Sequence, residues 1–468
     1  MVFSSLTFLL LFLPALYLLY FPFTSPKWRN GVLLAMSLLF YAWGEPVWIV
    51  AMLISTGANY LCARAIDRTE NAGRRKLLLA VGIVFSLSFL FYFKYSAFFI
   101  NSVCSLFGLG FSVADKKLPI GISFYTFQIL TYTVDVYRKK APVQRNPLRL
   151  LLYISCFPQL IAGPIVQYAD VADQLEERRV LPEDFAAGMR RFIRGLGKKV
   201  LLANVCGAAV EELMAASGGA SLSFSFAGAW MAVFLYGLQI YFDFSAYSDM
   251  AIGLGKTLGF TYKENFLFPY ASLSIGEFWR RWHISMGSFF REYVYIPLGG
   301  NRKGAARTLL NMLIVWALTG LWHGACWNFV LWGLYFGVLL VLERFVFGKV
   351  WDHLPKPLRW VVTYLLVTVS WAIFYHTDFT AMFTALRALF GVGVTGLSDA
   401  AAAAVARKYG VWSLIAFLLG FPLVPFVYKK LRPALHAPIA NLCTLALFAA
   451  SLLFLVGQSY NPFIYFRF

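Results

Sequence analysis

Residues 308–342 read TLLNMLIVWALTGLWHGACWNFVLWGLYFGVLLVL, a run without a single Asp, Glu, Lys or Arg. At about 1.5 Å of rise per residue an unbroken helix of this length would reach roughly 50 Å, whereas the hydrocarbon core of a bilayer is about 30 Å thick. The run therefore has to break, bend or turn back. Gly320 and Gly324 mark the place, and His323 stands between them.

The rest of the chain has the same character. Residues 1–25 carry no charged side chain, and nearly uncharged runs recur at 46–63, 77–93, 118–134, 150–169, 213–242, 409–428 and 437–466. Of 468 residues, 60% are hydrophobic and 13% charged, against roughly 25% charged in a soluble domain. Backbone groups in lipid need partners within their own segment, so apolar runs of this length are helices. The expected fold is all-α, a polytopic transmembrane protein of about 10–13 membrane helices. The first run lacks a basic leader and a small-residue cleavage site, so it reads as a retained helix rather than a signal peptide. Neither a composition break nor an internal repeat divides the chain, which is read as one membrane domain over 1–468.

The formal net charge is +19, but the cations lie between apolar blocks, which orients a membrane protein and does not indicate nucleic acid. Lys27 and Arg29, then Arg64 to Lys76, then Arg138 to Arg145 alternate with charge-poor connections near Gly44 and Ser105. That bias predicts an outward N-terminus. The six cysteines show no C-x-x-C spacing and suggest neither a disulfide framework nor a metal knuckle.

Two stretches depart from plain spanning helices. Residues 182–199 place Phe185, Met189, Phe192 and Ile193 opposite basic side chains, as in a helix lying in the membrane interface or an ordinary amphipathic loop helix. Residues 274–302, SIGEFWRRWHISMGSFFREYVYIPLGGNR, mix charges with aromatics and are too polar to cross lipid exposed. Such a segment is re-entrant or lines a water-filled cavity.

Candidate chemistry follows from depth. His323 is an imidazole inside an apolar run, and an ionisable group there is a functional candidate by default; the alternative is a histidine satisfied by a carbonyl at a helix contact. His283 lies in the polar insert among Arg280, Arg281, Arg291 and Glu292, where ion pairing within the insert is the competing role. Two histidines, each within a helix break or a polar insert, suit proton transfer near neutral pH. His353, His376 and His436 adjoin polar or proline-containing connections and read as solvated. Without H-x-x-x-H or H-x-x-E spacing a metal site is not indicated. Asp243 and Asp249 follow the run 213–242 and need a partner or water; the insert's arginines are one candidate partner and a helix-capping role is the other. Neither G-x-x-x-x-G-K-[ST] nor G-x-S-x-G occurs, which disfavours nucleotide-driven pumping and a nucleophile-elbow hydrolase.

Long strings of the chain resemble the membrane-bound O-acyltransferase family: MVFSSLTFLLLFLPALYLLYF at the N-terminus, LPIGISFYTFQILTYTVDVYR, FPQLIAGPIVQY, YFDFSAYSDMAIGLGKTLGF, EFWRRWHISMGSFFREYVYIPLGGNR and LWHGACWNFVLWG. The resemblance runs nearly end to end and implies the reaction. It puts the catalytic histidine of the family's W-H-G stretch on His323 and a second polar residue on His283. It implies an activated acyl group taken from a cytoplasmic thioester and passed to a hydroxyl. For the polysaccharide-modifying branch the donor is acetyl-coenzyme A or another acyl thioester, with no permanently bound cofactor. The same branch implies a periplasmic or extracellular hydrolase-like acetyltransferase partner, which acetylates an exported polysaccharide such as alginate, and a location in the bacterial inner membrane among lipids. Gly276 departs from it, an arginine being commoner there.

On this reading His323 is the general base, a central funnel or tunnel joins the two faces, and Trp322, Trp327, Asn328 or His283 stabilises the oxyanion. Arg280, Arg281 and Arg291 are candidates for the donor's phosphates. The rivals are D-alanyl transfer to teichoic acid, peptidoglycan O-acetylation, and a transporter or flippase that makes no bond.

Overall fold

The computed structural model describes residues 1–218, 223–431, 433–457 and 463–464. The runs 213–242 and 437–466 therefore each contain a stretch outside the described residues. Among the described residues the fold is entirely helical, with no strand. Seven helices are long and apolar enough to cross a membrane: Ile49–Arg68, Ala72–Leu106, Ala305–His323, Trp327–Phe347, Lys356–Tyr375, Ala400–Leu419 and Leu435–Gly457. Phe8–Tyr20 and Phe379–Leu389 are shorter apolar helices. The count is lower than the number of apolar runs suggests, because some runs are buried in protein and fold in pieces. Residues 150–169 contain the end of Pro147–Ser155, the four-residue helix Phe157–Leu160 and a turn, none long enough to span.

The chain forms two compact units, one of residues 1–193 and 247–263, the other of 194–246 and 264–468. In the first, Ile49–Arg68, Ala72–Leu90 and Ile122–Tyr137 pack together, and Ile122–Tyr137 is buried along most of its length. Their contact is pinned by polar side chains. Asn59 Nδ2 donates to Ser86 Oγ at 2.7 Å, and Thr133 Oγ1 donates to Asn59 Oδ1 at 2.9 Å. Between helices in lipid, where apolar association gains little, such bonds and small residues hold the interface.

The amphipathic segment of 182–199 forms the helix Pro182–Gly197, and its first-unit part packs on protein rather than only on a membrane surface. A Cβ at Gly188 would lie 2.6 Å from the Gly253 carbonyl oxygen, and one at Gly253 would lie 2.6 Å from that of Gly188. Two facing glycines let the backbones touch. Around them Arg191 holds Asp249 at 2.9 Å and Asp184 meets Lys256 at 3.2 Å. Asp249 is thus paired with this helix.

In the second unit the run 308–342 breaks where its glycines indicated. Ala305–His323 ends at an extended Gly324, and the next helix begins at Trp327. The two arms meet backbone to backbone. A Cβ on Gly333 would fall 2.1 Å from the Trp316 carbonyl oxygen, and one on Gly320 would fall 2.1 Å from that of Phe329. Gly333 and Gly337 have the four-residue spacing of close helix pairs in membranes. Gly333→Val is expected to lower stability by about 3 kcal/mol, the upper range for overpacking, since a carbonyl cannot rotate aside. Thermal unfolding in detergent checks this, with Gly410→Val, where an added Cβ meets nothing within 4 Å, as the control.

Candidate active site

The break at 324–326 sets His323 on the last turn of its helix, 5% exposed. Its ring is packed edge-on against Trp332 at 5.1 Å and Phe374 at 5.4 Å, with Trp322 at 5.0 Å. His323, Trp332 and Phe374, together with Trp282, Trp371, Phe244, Ile240 and Ile464, line a cavity of about 10 Å³. That is room for about one water. The environment is apolar, so a charge developing at His323 is poorly screened.

His283 comes to the same place from the insert. Residues 275–290 fold as two helices of seven residues, Ile275–Arg281 and Ile284–Phe290, with His283 between them at φ 44°. A left-handed histidine costs on the order of 1–3 kcal/mol unless its surroundings hold it, and Asn265 supplies the hold. The Asn265 side-chain oxygen accepts from Ser285 N at 3.1 Å and Ser285 Oγ at 2.9 Å and lies 3.2 Å from His283 Nδ1; the Asn265 carbonyl accepts from Ile284 N at 3.0 Å. With Nδ1 engaged, His283 Nε2 has no hydrogen bond among the described residues. The ring touches Phe244 at 4.6 Å and Trp322 at 5.7 Å. Trp322 thus lies between the two histidines.

The other candidates divide. Asn328 is buried, with Nδ2 donating to the carbonyls of Ile373 and Phe374, both at 3.2 Å; it ties the start of one helix to the end of Lys356–Tyr375. Trp327 is 49% exposed and does not line the cavity. Asp243 is buried, and its partner is not an arginine of the insert but Lys199, at 2.7 Å; its second oxygen accepts from Ile464 N at 2.6 Å. Lys199 is the nearer cation because a π-helical turn over Lys198–Ala203 follows the amphipathic helix and turns that residue inward. In the insert Arg281 pairs with Glu277 at 2.7 Å, while Arg280 and Arg291 are exposed. His376, read as solvated, is buried at 7% exposure, because the end of Lys356–Tyr375 is packed in the core. Among the described residues no three His, Cys, Asp or Glu side chains are placed to hold a metal.

Gly276 has a local explanation. Its N–H donates to Glu343 Oε1 at 3.1 Å and Ile275 N to Oε2 at 2.7 Å, so Glu343 caps this short helix where a side chain at 276 would intrude.

The sequence model of the membrane-bound O-acyltransferase family matches residues 138–386, which include every candidate named above. The chain belongs to this family. This acyltransferase is 38% identical to a probable alginate O-acetylase of Pseudomonas putida and 37% identical to one of Azotobacter vinelandii, in each case across 100% of both chains. It is 33% identical to a peptidoglycan O-acetyltransferase of Helicobacter pylori, over 85% of this chain and 81% of that one. The acyltransferase is accordingly a multi-pass membrane protein and an enzyme.

Sequence reading missed Asn265, Trp332, Phe374 and Lys199. An Asn directly after Lys263 and Glu264 resembles loop, and the aromatics resemble any other core residues in an apolar helix. Only Lys199 gave a signal, as a cation facing a chain whose buried aspartate needed one.

Proposed function

We propose that the acyltransferase takes an acetyl group from a cytoplasmic thioester, acetyl-coenzyme A, and passes it across the bacterial inner membrane to a periplasmic hydrolase-like partner, which O-acetylates an exported polysaccharide such as alginate. Residues 1–468 act as one membrane domain with the N-terminus outward. The observation that carries this reading is the placement of His323 at a helix break, on the wall of an apolar cavity, one indole away from His283.

In this mechanism His323 removes the proton of the acceptor hydroxyl as its oxygen bonds to the thioester carbonyl carbon. The oxyanion then collapses, the C–S bond breaks, and the thiolate leaves with the proton returned by the imidazolium. The lining rings have to part to admit both substrates, since the cavity as it stands holds about one water. Closing again excludes water, which protects the thioester from hydrolysis.

Oxyanion stabilisation falls to donors beside His323. Asn328 spends its N–H groups on carbonyls and Trp327 faces outward, which favours His283, Trp322 and, in addition, Trp332. The Trp332 indole N–H is buried and makes no hydrogen bond among the described residues. Trp332→Phe keeps the ring packing and removes the donor. It is expected to lower kcat by about 10²–10³ if that donor meets the oxyanion, with KM little changed; kcat within twofold of wild type removes Trp332 from the role.

The test of the function is incubation of purified protein in lipid with labelled acetyl-coenzyme A, with and without candidate partners, for wild type and His323→Ala. Label reaching a periplasmic acetyltransferase from wild type alone supports the reading; transfer by His323→Ala at the wild-type rate ends it. The 33% identity to a peptidoglycan O-acetyltransferase supports a second polymer, and the two separate by which partner accepts the label.

A further inference from the structure

We infer that the first unit carries a binding site for the phosphorylated nucleoside end of the donor, in the cleft between residues 142–149 and the helix Tyr168–Glu176. The inference rests on acetyl-coenzyme A as donor, whose far end is an adenosine bearing a pyrophosphate and a 3′-phosphate. The cleft encloses about 430 Å³, in the range of about 300–1,000 Å³ for small-molecule sites. A nucleotide needs that space; the cavity beside His323, at about 10 Å³, does not offer it.

The lining carries both charges, Arg145 and Arg149 on one side and Asp173 and Glu176 on the other. One of those carboxylates is already engaged, since Arg149 Nη1 donates to Glu176 Oε2. Gln144 Nε2 reaches Glu176 Oε1 and the Tyr168 hydroxyl, both at 3.3 Å, so the floor of the cleft is fixed before any ligand arrives.

Arg145 is different. Its carbonyl accepts a 2.7 Å hydrogen bond from the Tyr60 hydroxyl, which anchors the backbone, while its guanidinium is exposed and makes no ion pair or hydrogen bond among the described residues. A held backbone and an open guanidinium are what two-point phosphate binding uses. Pro142 and Val143 give apolar surface for the purine face, and Asp173 is placed to accept from a ribose hydroxyl or the purine amino group. The basic segment lies on the cytoplasmic side by the positive-inside bias, where the donor is made.

The experiment reads binding apart from transfer. The protein is placed in discs of zwitterionic lipid and titrated with fluorescent adenosine 3′,5′-bisphosphate. Arg145→Glu is expected to weaken binding tenfold or more, and His323→Ala to leave it within twofold. Retention of wild-type affinity by Arg145→Glu overturns the site, as does a loss confined to Arg280→Ala or Arg291→Ala. Displacement of the probe by anionic-lipid discs as readily as by unlabelled bisphosphate also overturns it, since the cleft would then be a headgroup site. If wild type binds no bisphosphate yet transfers acetyl from a carrier-protein thioester, this site fails while the acyltransferase reading stands.

Discussion

Replacement of His323 by alanine is expected to slow acetyl transfer by about 10²–10⁴-fold, the contribution of one well-placed general base. The loss should fall on kcat, because the ring is needed when the acceptor proton moves and not when the thioester binds. His323→Ala also leaves a gap among Trp322, Trp332 and Phe374, so lost activity alone does not separate chemistry from packing. His323→Gln does. It retains volume and hydrogen bonding but cannot carry the proton, and it should be nearly as inactive while unfolding within a few degrees of wild type. Stopped transfer with an unchanged melting curve establishes the base; activity in His323→Gln above a tenth of wild type removes it and returns a bond-free transporter to consideration.

Loss of Lys199 should affect the fold instead. Lys199 and Asp243 face one another at 2.7 Å with side chains 4% and 2% exposed. Lys199→Met removes the cation and leaves a carboxylate in the interior of the long helix Phe226–Thr257, held among the described residues by one backbone N–H from Ile464. Breaking one side of such a pair costs about 3–5 kcal/mol, mostly the penalty of the stranded charge. The expected outcome is a large fall in melting temperature in detergent and low yield from membranes. Lys199→Met combined with Asp243→Leu should recover most of the loss, since a buried pair replaced whole by apolar groups is often neutral. If the double variant is as unstable as the single one, the pair is not the source of the cost.

The same two residues show what was legible in the chain and what was not. Asp243 was visible as a charge needing a partner, because an aspartate after so long an apolar run has little alternative. Pairing with the insert's arginines and a helix-capping role were both open readings, and the partner is Lys199 instead. The insert's arginines are near in sequence and numerous, but Arg281 is taken up by Glu277 four residues before it, and Lys199 reaches the aspartate through a turn of π-helix whose geometry no local pattern announces. His323 was legible for the opposite reason: lipid forbids an idle imidazole, and glycines on both sides fixed the break that presents it.

Sequence alone determined that the chain is helical, crosses a membrane and breaks at His323, since the bilayer sets helix length, demands internal hydrogen bonds and penalises every stray charge wherever the helices lie. Only the tertiary structure decided which rings enclose that histidine, that Asn265 holds His283 beside Trp322, and that Trp327 turns away. Those outcomes depend on sub-ångström fit between facing helices, such as Gly333 against the Trp316 carbonyl, and an apolar side chain carries no mark of which neighbour it will meet.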